Sequence, residues 1–162
     1  MSAPLLDFGH WLENRQFALD IVTSKWAYPY VQALHFSGLS LFVGSNLALD
    51  FNLAGFWKRE ETPAELCSDL IIWNWIGFLI AITGGFLLFA ASASTYVINA
   101  AFLTKLGFLI PVGLILHILI QRKVYDWCRE PELPNIAKVA GIIEMIWWLS
   151  VATAAVLIPY VE

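Results

Sequence analysis

LIIWNWIGFLIAITGGFLLFAASA, residues Leu70–Ala93, runs for 24 positions without an Asp, Glu, Lys or Arg. A helix needs about 20 mostly apolar residues to cross the hydrocarbon core of a bilayer. The stretch is too long for a buried strand, and in lipid the backbone must hydrogen-bond to itself, so it reads as a spanning helix. Three further stretches qualify, near Trp26–Leu49, Phe102–Ile120 and Ile136–Tyr160.

Bulk composition agrees. The 162 residues are 59% hydrophobic and 14% charged, with a mean hydropathy of +0.70. Soluble domains run nearer about 45–50% apolar and roughly 25% charged. A soluble domain of this length keeps too much surface to bury the excess. The net charge of −4 gives no basic field for nucleic acid, so the expected partners are the lipid bilayer and other membrane protein subunits.

Upstream of the first span, Leu5, Phe8, Trp11, Leu12, Phe17 and Ile21 recur at helical spacing, interrupted by Asp7, Glu13, Arg15 and Asp20. That pattern predicts a helix lying along the membrane surface. These acidic residues and the missing apolar core also argue against a secretory signal. The expectation is an all-α chain. Residues 26–162 form an integral membrane four-helix bundle, and residues 1–25 form an N-terminal amphipathic interfacial helix.

Four crossings put the N-terminus, the second-to-third connection and the C-terminus on one side, here side A. Side B carries Lys58, Arg59, Arg122, Lys123, Arg129 and Lys138, against Arg15, Lys25 and Lys105 for side A. Because positive charge marks the cytoplasmic side, both termini are expected outside the cytoplasm of a bacterial inner membrane. Trp26, Tyr28, Tyr30, Tyr96 and Tyr160 on side A, and Trp57, Trp73, Trp75, Tyr125 and Trp127 on side B, read as interfacial belts. Ser40, Gly44 and Ala48 form one small-residue strip, and Gly84 with Gly85 another, as expected at helix–helix seams. Pro111 and Gly113 predict a bend in the third span, with the Gly107 carbonyl freed.

Ionisable groups in hydrocarbon are costly and are functional candidates. Four stand out: His35, Lys105, His117 and Glu144. Asn46 lies three helical turns beyond His35 on the same face, and Asp50 follows one turn later. Glu144 lies two turns inside the fourth span and must carry a proton or a partner. A ladder His117–Glu144–His35 would carry protons, while Lys105 is placed to snorkel to side A. At about 1.5 Å per residue, His35 lies roughly 15–18 Å above side B, Glu144 about 10 Å and His117 about 5–7 Å. An offset near 10 Å is too large for two axial ligands of one iron, which sit about 4 Å apart. A single-histidine haem on His35, or one shared with a partner, stays open. Cys67 and Cys128 form no CxxC or CxxCH pattern and read as two ordinary thiols in polar connections. No phosphate loop, GxSxG or HExxH is present.

FGHWLEN (Phe8–Asn14), WAYPYVQALHFSGLSLFVGSNLALDFNLAGF (Trp26–Phe56) and TGGFLLFAASASTYVINAAF (Thr83–Phe102), with Lys105, together resemble a family of small bacterial four-span membrane proteins of unknown function. The related-looking proteins include the copper-resistance D type. The resemblance covers the first three spans, and the fourth matches in hydropathy. It marks His35, Asp50, Asn99, Phe102 and Lys105, with Asn52 standing where the pattern has Arg and Ala100 where it has Pro. It implies no settled activity.

Three readings follow. The first is a membrane subunit of a redox or respiratory-type complex, with His35, Glu144, His117 and Asn46 binding haem b or quinone, or anchoring a partner that does. In that reading His35 is the metal ligand, and the chain is not catalytic by itself. The second is a structural or assembly subunit without chemistry. The third is a small transporter or metal-handling protein, which lacks both a Met- or Cys-rich motif and an inverted repeat.

Overall fold

The computed structural model describes residues 3–56, 64–130 and 132–160, and every regular element among them is helical. Trp57, Lys58 and Arg59, which entered the belt and charge arguments, lie outside the described residues.

The elements are α1 (Ala3–Glu13), α2 (Gln16–Thr23), α3 (Ala27–Leu53), α4 (Ala64–Ala90), the single turn α5 (Ala93–Tyr96), α6 (Ala100–Arg129) and α7 (Asn135–Leu157). Three helices are long and apolar enough to cross a membrane, over Leu66–Ala90, Ala100–Arg129 and Asn135–Val156. α3 matches them in length, at 27 residues. It is less apolar because Gln32, His35, Ser37, Ser40, Ser45, Asn46 and Asp50 interrupt it. Ile72, Leu79, Ile82, Phe86, Ile115, Leu119, Ile146 and Leu149 all face outward from the three apolar helices. An apolar exterior on this scale suits lipid rather than water.

Local chemistry sets the ends. The Ser24 hydroxyl accepts the Ala27 N–H at 3.2 Å and starts α3. Gly55, at φ 82, closes it: the Gly55 N–H bonds the Asn52 carbonyl and the Phe56 N–H bonds the Phe51 carbonyl. This double closure needs a left-handed residue, which glycine supplies without strain. Asn99 caps α6 by accepting the Phe102 N–H at 2.9 Å, and its amide donates to the Ile158 carbonyl at 3.1 Å. One side chain thus ties the start of α6 to the end of α7.

The expected surface helix is two helices. Asn14 donates to the His10 carbonyl at 2.7 Å, and Arg15 donates to the Trp11 carbonyl at 3.2 Å while lying over the Trp11 ring. These bonds satisfy the last carbonyls of α1 and stop it there. Leu12 and Ala18 pack on Ala90 and Ala93, while Phe8, Trp11 and Val22 stay exposed.

α3 and α4 approach almost backbone to backbone. A Cβ at Gly38 would sit 2.4 Å from the Ala81 nitrogen, one at Gly77 2.5 Å from the Phe42 nitrogen, and one at Gly84 2.8 Å from the His35 backbone. The seam therefore runs through Gly38, Gly77 and Gly84. Gly44 meets nothing within 4 Å, so the expected Ser40–Gly44–Ala48 strip is not the contact face.

The bend in α6 is a π-helical turn at Lys105–Leu109, closed by the Ile110 N–H on the Lys105 carbonyl. The wider turn absorbs the bond that Pro111 cannot make. Gly113 leaves room for the Trp147 indole, which donates to the Leu109 carbonyl at 2.9 Å.

Cys67, at the start of α4, and Cys128, at the end of α6, are joined in a disulfide across 61 residues. They are not the separate thiols their spacing implied. The bond is packed with Leu49, Leu53, Ile120, Val124 and Ala137 in the side B core. Cysteines this far apart in sequence carry no pairing signal, so the bond emerges only from the fold.

Candidate functional site

A polar layer crosses the interior where the four long helices meet. α3 contributes Asn46 and Asp50, α4 Asn74, α6 His117 and α7 Glu144, all at most 1% exposed. His117 Nδ1 and Glu144 Oε1 share a short hydrogen bond, and the Trp148 indole donates to the same carboxylate oxygen at 3.4 Å. Asn74 donates to the Phe42 carbonyl at 3.0 Å and to Asn46 Oδ1 at 3.4 Å. Asn46 in turn donates to Asp50 Oδ2 at 2.9 Å, and Asp50 lies within electrostatic reach of Glu144. Phe42, Trp75 and Trp148 surround the His117 ring, with centroids 5.7, 5.2 and 6.1 Å away. Trp75 is therefore part of this cage and not of the interfacial belt.

Helical spacing explains the layer. His117 meets Phe42 and bonds Glu144, so these positions are level across three helices. Asn46 lies one turn below Phe42. The sequence-based depths set His117 below Glu144, whereas their hydrogen bond makes the two level. Glu144 is not a rung between two histidines; it pairs with His117 directly.

His35 stands apart. Its Nδ1 bonds the Ala81 carbonyl at 2.7 Å, and its ring lies on the bed formed by Gly84 and Gly85. It faces α4 as Asn46 does, in keeping with their eleven-residue spacing. It precedes Phe42 by seven residues, about 10 Å along the helix axis at the usual rise, so His35 and His117 do not face one another across one ligand. Lys105 is half-buried and opens the π turn, far from the layer in sequence register.

Haem b and quinone can be tested against these residues. His117 already spends Nδ1 on Glu144, and its ring is enclosed by three aromatics, so neither a macrocycle nor a quinone ring fits beside it in this packing. His35 keeps Nε2 for an external group at the edge of the α3–α4 pair. Among the described residues no group of three or more His, Cys, Asp or Glu could hold a metal ion. Two shallow outer hollows, lined by Ile146, Leu149, Ser150, Thr153 and Ala154 and by Ser40, Leu41, Gly44, Ser45, Leu70 and Trp73, have neither histidine in their walls.

Asn74, Gln121 and Trp148 were missed from sequence. Asn74 is an uncharged amide between two tryptophans. Gln121 adjoins Arg122 and Lys123, just past the apolar run that defined the third span. An amide in an apolar run is a polar-interior signal in its own right and could have found Asn74.

Residues 18–161 match a family of unknown function (DUF6644), and the chain belongs to that family. The match extends through α7, beyond the first three spans, and leaves out Phe8–Asn14. Nothing in it ties the chain to the copper-resistance D type proteins. No curated protein and no solved structure matches the chain.

Proposed function

We propose that this DUF6644 member is a four-span membrane subunit of a redox-type complex, and that its buried His117–Glu144 pair passes on protons coupled to electron transfer in a partner. α3 is the fourth crossing: Ser45, Asn46 and Asp50 turn into the core, His35 bonds the Ala81 carbonyl of α4, and the exposed Gln32, Ser37 and Ser40 carry no charge. The chain lies in the bacterial inner membrane, with side B in the cytoplasm on the charge argument and both termini outside.

The observation that carries this reading is an imidazole and a carboxyl in direct hydrogen bond, both at most 1% exposed, between two membrane-length helices. Buried His and Glu in such helices are costly and mark proton paths. Histidine exchanges protons near neutral pH, and its carboxyl partner fixes the tautomer. Asn46, Asn74 and Asp50 form a second hydrogen-bonded set on the side B flank of the pair. The quinone class is then a substrate of the partner and not a ligand of this pair.

The test is quinol-driven proton release from membranes of a host lacking the chain, restored with wild type or with Glu144→Gln. Positioned proton transfer is typically worth about 100-fold or more in rate. We expect the variant to insert normally and to lose release on that scale. Release equal to wild type removes the reading.

A second reading, a purely structural subunit, is favoured by the closed aromatic cage around His117. It requires His117 and Glu144 to be replaceable together by apolar residues without loss of that release.

A further inference from the structure

The hydrogen-bonded layer is incomplete in a chemically specific way. Asp50 Oδ1, Asn74 Oδ1, His117 Nε2 and both amide atoms of Gln121 are sealed from solvent with no hydrogen-bond partner among the described residues. Asp50, Asn74 and His117 are each 0% exposed. Buried polar atoms are satisfied in the great majority of cases, so five in one region require an account. The Phe42–His117 contact fixes the register of α3 against α6, which run in the same direction. Gln121, one turn beyond His117, is therefore level with Asn46, one turn beyond Phe42. Asp50 lies one turn further on, and Asn74 bonds Asn46 from α4. Three helices thus bring their unpaired atoms to one stretch of the interior, on the side B flank of the His117–Glu144 pair.

The unpaired set mixes roles. Three carboxyl or amide oxygens accept, the Gln121 amide nitrogen donates, and the His117 ring nitrogen does either. A metal cation would satisfy the oxygens and leave the amide N–H unpaired. An apolar ligand would satisfy none of them. Water both donates and accepts, and a buried water typically makes about three hydrogen bonds. Five atoms therefore match about two waters.

We propose that this layer binds an internal water cluster that bridges Asp50, Asn74 and Gln121 to His117 Nε2. The proposal deepens, and rests on, the proton-passing reading of the same residues: the waters supply the link between Asp50 and the histidine that no side chain makes. Protons then reach His117 from the side B flank, through Asp50, and leave toward Glu144.

Hydroxyl-radical labelling generated by X-ray pulses on the full chain in nanodiscs tests this, because radicals form at bound waters as well as in bulk solvent. We expect oxygen incorporation at Phe42 or His117, which are at most 3% exposed. The label should be lost in Gln121→Leu and retained in Gln121→Glu, which keeps oxygens for the waters. Matched thermal melting of both variants checks that the fold is kept. Labelling confined to outward-facing side chains in wild type overturns the proposal, as does a label unchanged in Gln121→Leu. Interior labelling with normal proton release by Glu144→Gln would keep the water site and discard the proton function. Impaired release without interior labelling would do the reverse.

Discussion

Glu144 and His117 are coupled by more than proximity, since each is the other's main side-chain partner in the interior. Removing Glu144 leaves the His117 ring buried without its side-chain partner. Glu144→Ala should cost about 3–5 kcal/mol, the usual penalty for breaking a buried pair. Replacing both, as His117→Leu with Glu144→Leu, should recover much of that loss, because an apolar pair needs no compensation. Thermal melting of His117→Leu, Glu144→Leu and the double in one detergent measures this coupling. Glu13 offers a second residue-scale test, outside the spans. Its carboxylate accepts the Ser94 N–H and hydroxyl, both at 2.8 Å, and caps α5. Burial opposes its ionisation, but the two Ser94 bonds and nearby His10 outweigh it and hold the carboxyl below the usual carboxylate range. The cap therefore stabilises the fold above that range and is lost as pH falls through the lowered pKa. Glu13→Ala should cost about 1 kcal/mol at neutral pH. The gap between wild type and variant should close in strong acid. Much of the site was legible at this scale, since Asn46, Asp50, His117 and Glu144 stand out against apolar neighbours, while His35 stood out as clearly and lies outside it. Their pairing was not, because it depends on inter-helix register.

At the scale of the element, the spans are the most legible feature, since apolar length alone specifies them. Which strip of each helix meets its neighbour is less so. Ser40, Gly44 and Ala48 are spaced like a seam, yet the seam uses Gly38, because the inward face of α3 is set by Phe42, Asn46 and Leu49. Two substitutions separate these strips. Gly38→Val forces a side chain into the α4 backbone and should cost about 1–3 kcal/mol or more, as overpacking does. Gly44→Ala has open space and should stay within about 0.5 kcal/mol of wild type, or gain from better helix propensity. Denaturation in detergent compares the two. The α1–α2 break was hidden because the apolar spacing runs through it, and only the side-chain bonds of Asn14 and Arg15 reveal the stop.

For the whole molecule, charge and disulfide address the same end. The proposed orientation, from the excess of Lys and Arg, puts side B in the cytoplasm, whereas disulfides persist in oxidising compartments. Cys67 and Cys128 both lie at that end, so orientation and oxidation state are linked. Mass spectrometry of protein alkylated in intact cells gives the oxidation state, and impermeant labelling of an added side B cysteine gives the orientation. Thiols in a cytoplasmic side B support the charge argument; a formed bond with external labelling inverts the topology and leaves the interior layer unchanged. Where the bond forms, Cys67→Ser with Cys128→Ser should cost about 2–5 kcal/mol.

The central claim is that an interior carboxyl exchanges its proton with solvent through this layer. Infrared difference spectroscopy of the reconstituted chain, stepped in pH and repeated in D2O, reads that directly. The account predicts a carboxyl band that changes with pH, shifts in D2O, is absent in Glu144→Gln and is altered in Asp50→Asn. A wild-type spectrum with no pH-dependent band assignable to Glu144 would contradict it and leave His117 and Glu144 as a fixed structural bond.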